Sequence, residues 1–330
     1  MNRLYNSLAI VFLVCAPAVG PIADGRQPQA VDIGSLDPDS PYQGTKSEPV
    51  TYQVDLQFVV TPPYHAKVLK IWVPLPPSDN IQQVSGRELS SFPMKVEPRI
   101  GKEALYGNEF AYFEFDHPEG AQIVRHKFTV KTHEVRWNVD TAKVPKVEKW
   151  PAAFDKFLRS EKLIVVDDKF RKFAEDITPR NGEAQDLAAV MKWVQDNVKY
   201  DHGKASLQAS AVQLMETKAG HCSDYHGFCT ALSRSLGYPT RVAYGINPFP
   251  KNSPSHCKLE AYLPPYGWVM FDVSETQQLI EHIHKDAKLG PARKEKLGIW
   301  PKSVCWQDFA TTPGSCRRAA PITILRPQPR

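Results

Sequence analysis

Ala219-Gly220-His221-Cys222-Ser223-Asp224, Ser255-His256-Cys257-Lys258-Leu259-Glu260 and Gly267-Trp268-Val269-Met270-Phe271-Asp272 are the stretches that decide how this 330-residue chain folds. The first opens a run of helical character. It extends from Cys222 to Leu236 and is ended by Gly237 and Pro239. Strand-like runs follow at Thr240–Tyr244, Leu259–Leu263 and Trp268–Asp272, the last two joined by Pro264-Pro265-Tyr266-Gly267 as a hairpin turn. A helix followed by antiparallel strands predicts an α+β fold and not a doubly wound parallel sheet.

A thiol nucleophile needs a place where its thiolate is favoured, a base within reach, and a group that orients the base. Cys222 follows Gly220 and opens a helix. Unpaired backbone N–H groups and the helix dipole favour negative charge there, and the same N–H groups can supply part of an oxyanion hole. An arbitrary cysteine is more often a small buried hydrophobe; the histidine and aspartate downstream reverse those odds. His256 lies at the start of one hairpin strand and Asp272 ends the other, so Asp272 can reach the outer ring nitrogen of His256. The other nitrogen then faces the helix that carries Cys222. Asp224 reads as a first-turn carboxylate favoured by the dipole.

These residues resemble a family. Gly220-x-Cys222-x-Asp224, Leu236-Gly237-Tyr238-Pro239-Thr240-Arg241-Val242, His256-x-x-x-Glu260 and Gly267-Trp268-Val269-x-Phe271-Asp272 look like the transglutaminase-like superfamily of papain-like fold. The helix end Trp193-Val194-x-x-Asn197-Val198-x-Tyr200 is similar too, so the likeness runs from Asp186 to Ser274. It implies a Cys-His-Asp triad at Cys222, His256 and Asp272. It also implies acyl transfer through a thioester, with no cofactor and no obligatory metal at the site. One position departs: where the family commonly has an aromatic residue after the histidine, this chain has Lys258, on the strand face shared by His256 and Glu260.

Two further cysteines lie close by in sequence. Cys229 is seven residues after Cys222, about 10 Å along a helix and too far for a disulfide within it. Cys257 neighbours His256 and is expected to point to the opposite strand face. Both read as structural. Cys222, His226 and Cys229 form one helical stripe, which with His256 or Cys257 makes a rival tetrahedral zinc set. That rival lacks the short knuckle spacing of structural zinc sites and leaves Gly220 and Asp272 without a role.

Upstream, Leu187, Val190, Met191, Val194 and Val198 fall on one helical face. The region 150–280 is therefore expected to be the catalytic domain. Residues 50–140 change to period two. Tyr52–Val60, Val68–Val73, Phe110–Phe115 and Ile123–Val130 predict a small antiparallel β-sandwich, similar to the N-terminal β domain of bacterial secreted members of the family. Residues 19–49 are rich in Pro, Gly, Asp, Ser and Gln and read as a disordered linker. Residues 1–18 read as a signal peptide: Arg3, the apolar run Leu8–Val14 and the small residues Ala16-Pro17-Ala18. Residues 281–330 read as an irregular tail.

Without the leader five cysteines remain, Cys222, Cys229, Cys257, Cys305 and Cys316. An odd count leaves at least one thiol without an intrachain partner. Cys305 and Cys316 are candidates for a bridge. The net charge of +5 is no argument for nucleic acid, and 29 prolines argue against a helical bundle.

The sequence thus predicts a periplasmic or secreted cysteine-dependent amide-bond hydrolase acting on a protein or peptide, with no membrane span after leader removal. A protein-glutamine transamidase on the same triad is the alternative. A non-catalytic or zinc-binding module of the same fold is another. Lys258 favours water as acceptor, because a fixed cation near the site repels an incoming ammonium that an aromatic wall would attract.

Overall fold

The computed structural model describes residues 35–140, 143–178, 184–206, 208–246, 255–294 and, as backbone, 322–325. The leader and the Cys305–Cys316 pair lie outside these residues.

The N-terminal half is built of β-strands: β1 (Thr45–Lys46), β2 (Val50–Val60), β3 (Val68–Leu75), β4 (Gln82–Phe92), β5 (Arg99–Lys102), β6 (Glu109–Asp116), β7 (Gln122–Thr132) and β8 (Val135–Arg136). Two antiparallel three-stranded sheets, ordered β2-β7-β4 and β3-β6-β5, face each other, and β1 pairs with β8. The period-two pattern explains the layering. Ile71, Val73, Phe113 and Phe115 of one sheet are buried against Val124 of the other, with Phe58 and Leu89 packed on the same cluster.

The second half comprises α1 (Asp168–Ile177), α2 (Ala184–Asn197), β9 (Lys199–Tyr200), α3 (Ala211–Thr217), β10 (Ala219–Gly220), α4 (Cys222–Ser235), β11 (Thr240–Ile246), β12 (Ser255–Leu263), β13 (Gly267–Phe271), α5 (Val273–Lys285) and β14 (Ile322–Leu325). The antiparallel sheet is ordered β13-β12-β11-β14. Helix α4 packs on β11 and β12 and is enclosed by α1, α2, α3 and α5. Every residue from Ser223 to Arg234 is buried, so α4 is the axis of the core. The stripe Leu187, Val190, Met191, Val194 and Val198 is buried in the same cluster, as its spacing predicts. The α+β reading therefore stands.

Two expectations about connecting segments are corrected. The stretch 35–49 is docked and not a free linker. Tyr42 is buried, its hydroxyl donates to Glu260 Oε1 at 2.7 Å, and the Pro38 carbonyl accepts from Trp268 Nε1 at 2.8 Å. Glu260 is itself paired with Arg241 at 2.5 Å, and the Arg241 guanidinium stacks 3.9 Å from the Trp268 ring centroid. A few polar anchors hold this segment, and composition does not reveal them. The tail beyond 281 is not wholly irregular either: α5 runs to Lys285 and 322–325 add an edge strand beside β11. Among the described residues, no helix is long and apolar enough to cross a membrane.

Candidate active site

The site begins with the turn into α4. Gly220 closes β10, and its α-carbon lies against the Asp224 carboxylate. A Cβ there would meet Asp224 Oδ2 at 2.7 Å, a distance no side chain tolerates. His221 caps the helix: its Nδ1 accepts from the Ser223 N–H at 3.3 Å, while Asp224 Oδ2 accepts from the His221 N–H at 3.1 Å. Asp224 also accepts from the Ser206 N–H and hydroxyl, so its role is to tie the 206 loop to the helix start. This reciprocal cap fixes Cys222 as the first helical residue, where the N-terminal N–H groups gather.

The other two residues come from the hairpin. Pairing between β12 and β13 ends at Leu259↔Phe271, so His256 overhangs the paired stretch and Asp272 turns into α5 beside it. Gly245 lies opposite His256 on β11 and has no side chain to crowd the ring. Asp272 is the N-cap of α5, with Oδ1 accepting from the Glu275 N–H at 3.0 Å. Its Oδ2 lies 2.7 Å from His256 Nε2. The outer-nitrogen contact expected from the hairpin is therefore present, which leaves Nδ1 of His256 unengaged by Asp272 and open toward the thiol it acts on, Cys222. Cys222, His256 and Asp272 are brought together.

The electrostatics follow from these contacts. The Cys257 thiol, and then His256 and its charge, outweigh burial and draw the Cys222 thiol down to about 3. Burial alone would depress His256, but the Asp272 carboxylate and the Cys222 sulfur raise it to about 10. Burial acts against the Asp272 charge, and the His256 imidazolium outweighs it, holding the carboxyl well below its usual range. The arrangement is a thiolate–imidazolium–carboxylate row, stable as a set of alternating charges in a water-poor site.

Three neighbours complete the site. Cys257 is buried in the core under α4, in keeping with its reading as a structural cysteine on the opposite strand face. His226 is fully buried, with its Nδ1 3.4 Å from Cys257 Sγ. Tyr200 is half-buried against the same cluster as Cys222, and burial raises its hydroxyl far enough to keep it protonated. Strand β9 carries Tyr200, pairing it with Gly220 on β10. Nothing in spacing alone selects these residues, because each reaches the site through a partner distant in sequence.

Lys258 is half-buried, and its charge helps to lower both Asp272 and His226. Glu260, on the same strand face, is engaged with Arg241 and Tyr42. Trp268 is buried among Phe157, Tyr262 and Tyr42 in a separate cluster. Among the described residues, no group of three or more His, Cys, Asp or Glu side chains is arranged to hold a metal ion.

Residues 171–273 match the transglutaminase-like superfamily. A candidate cysteine protease from Cytophaga hutchinsonii has a similar structure, with a TM-score of 0.60 and 19% identity, covering 70% of this chain and 78% of that one. The periplasmic domain of TgpA from Pseudomonas aeruginosa aligns with a TM-score of 0.42 and 16% identity, over 74% of this chain and 75% of that one. An uncharacterized protein of Haemophilus influenzae is 20% identical over 239 residues, 63% of this chain and 64% of the relative, so less than two thirds of that protein is spanned. Residues 171–273 are thus a transglutaminase-like domain, and the fold around them is similar to that of the Cytophaga hutchinsonii protein.

Proposed function

We propose that this chain is an exported cysteine-dependent amide-bond hydrolase that acts on a protein or peptide through a thioester acyl-enzyme. Cys222 is the nucleophile, His256 the general acid and base, and Asp272 the group that orients His256. The observation that carries the reading is a thiol at the start of a buried helix, acted on by a histidine whose far nitrogen lies 2.7 Å from a buried carboxylate.

The chemistry follows from the charges. The Cys222 thiolate bonds to the carbonyl carbon, and the carbonyl electron pair moves onto oxygen. The N–H of Cys222 at the helix start donates to that oxygen. The tetrahedral adduct collapses, the C–N bond breaks, and His256 gives its Nδ1 proton to the departing amine. A water molecule then loses a proton to His256 as its oxygen attacks the thioester. The C–S bond breaks, releasing a carboxylic acid and restoring the thiolate. Asp272 keeps its charge throughout.

Water is the acceptor in this reading. Lys258 places a cation beside the site, and Trp268 is enclosed in another cluster, where it cannot form an aromatic wall for an incoming ammonium. The leader pattern Arg3, Leu8–Val14 and Ala16-Pro17-Ala18 supports export.

The test is a panel of electrophilic peptides followed by peptide mass spectrometry. The reading expects one adduct, on Cys222, absent from Cys222→Ala and strongly reduced in His256→Ala. Labelling that ignores both substitutions would overturn it. Adding a primary amine to an acyl donor then separates the acceptors: dominant amide product at low amine would make the chain a transamidase with the same triad.

A further inference from the structure

We propose that His226 is a positioning residue for the triad: its neutral ring accepts the Val273 N–H at Nε2, donates from Nδ1 to the Cys257 sulfur, and so holds Asp272 and His256 in place against the helix that carries Cys222. The proposal rests on the triad reading and adds a residue to it.

His226 lies about one helical turn after Cys222 on α4 and is fully buried. Both polar contacts of its ring end on the residue that follows a triad member. Nε2 lies 3.1 Å from the backbone nitrogen of Val273, next to Asp272. Nδ1 lies 3.4 Å from Sγ of Cys257, next to His256. The His226 and His256 rings stand edge to face, 6.3 Å between centroids. One side chain thus joins the three elements that supply the triad: α4, β12 and the start of α5.

The hydrogen-bond directions fix the state of the ring. Val273 is the first residue of α5, so its N–H has no acceptor within the helix. It donates to His226 Nε2, and a ring nitrogen that accepts carries no proton. The single proton of the neutral ring is therefore on Nδ1, aimed at the Cys257 sulfur. Asp272 Oδ1 lies 3.8 Å from the same Nε2, beyond hydrogen-bond reach. That oxygen already accepts from the Glu275 N–H at 3.0 Å and the Ser274 hydroxyl at 3.3 Å, and Oδ2 faces His256 at 2.7 Å.

A proton on Nε2 would set one N–H against another. It would also turn the ring toward Asp272, in competition with His256. Burial, joined by the charges of His256 and Lys258, outweighs the pull of Asp272 and Cys222 and holds His226 down at about 4. His226 therefore grips the backbone beside Asp272 and leaves the carboxylate charge to His256.

The test uses the full chain labelled with nitrogen-15 histidine, in which long-range proton–nitrogen spectra read each ring nitrogen of His226 and His256. In the parent chain at neutral pH, His226 should show a bare Nε2 and a protonated Nδ1. The reverse tautomer, with the proton on Nε2 facing Asp272, would overturn the proposal without any variant. His226→Leu removes the acceptor at similar bulk, and His226→Met does so if leucine does not fold. Either should lower the His256 midpoint by about one pH unit, the effect of weakening one charge-assisted hydrogen bond. His226→Gln offers an amide oxygen to the Val273 N–H and should return most of that shift. A packing role predicts the opposite order, with leucine tolerated and a buried glutamine not. A shift that glutamine does not return, or a His256 midpoint unchanged in a folded leucine or methionine variant, would overturn the proposal and leave the triad intact. A parent chain whose His256 titrates like a free imidazole, near pH 6.5, would sink both.

Discussion

Asp272→Asn separates charge from shape at one atom. Asp272 makes contacts with both carboxylate oxygens: Oδ1 accepts from the Glu275 N–H at 3.0 Å and Oδ2 faces His256 Nε2 at 2.7 Å. Asparagine is as good an N-cap as aspartate when its oxygen faces the helix. The amide nitrogen must then face His256 Nε2, which cannot accept it while protonated. Either the histidine gives up its Nε2 proton, or the amide turns and the cap of α5 is lost. In both cases the imidazolium loses a buried, charge-assisted hydrogen bond worth about 1.5–3 kcal/mol. At about 1.36 kcal/mol per pK unit, the His256 titration falls by about 1–2 pH units from its position at about 10. The Cys222 midpoint rises correspondingly, so the pH window of the ion pair narrows from both sides. Nitrogen-15 labelling of histidine and long-range proton–nitrogen correlation spectra follow both ring nitrogens of His256 directly. A His256 that titrates at the same pH in wild type and Asp272→Asn would refute the role given to the carboxylate.

Other outcomes follow from the same geometry. Tyr42→Phe leaves the Glu260 carboxylate without its 2.7 Å hydroxyl donor; denaturant unfolding should show a loss of about 1.5–3 kcal/mol, with proteolysis newly admitted between residues 35 and 49. Gly220→Ala forces a Cβ onto the Asp224 carboxylate; a loss of about 1–3 kcal/mol, accompanied by slower Cys222 labelling, is expected in calorimetry and alkylation. His126 is buried, and burial depresses it from 6.5 to about 4. The unfolded chain therefore binds a proton between those pH values that the folded chain refuses. This contribution to stability is complete above pH 6.5 and is lost as pH falls toward 4. His126→Phe should flatten the acid limb of the melting-temperature profile, and an unchanged limb would remove His126 from the account.

Much of this site was legible because its parts are local. Gly220 before Cys222, Gly237 and Pro239 after the helix, and the Pro264–Gly267 turn each leave a mark at fixed spacing, and together they place Cys222, His256 and Asp272 on the elements that carry them. What was not legible depends on partners far along the chain. Strand β4 reads Gln-Gln-Val-Ser-Gly-Arg-Glu-Leu-Ser-Ser-Phe, too polar for a period-two signal, because it is an edge strand with a register shift near Gly86. Tyr42 belongs to a polar, Pro-rich stretch and is fixed by partners far along the chain, Asn80, Glu260 and Arg241 among them. Cys257 alternates away from His256 along its strand and meets His226 of the crossing helix α4, 3.4 Å from its sulfur. Strand periodicity predicts a face, not what crosses it.

The central claim is that Cys222 is a thiolate at neutral pH, and site-resolved iodoacetamide labelling of the wild-type chain across pH tests it most directly. The account predicts that Cys222 is alkylated rapidly already at pH 6, well ahead of buried Cys229 and Cys257, with a half-rate point far below the ordinary thiol value of about 8.5. Labelling of Cys222 that rises only through pH 8.5, in step with an unperturbed thiol, would contradict it.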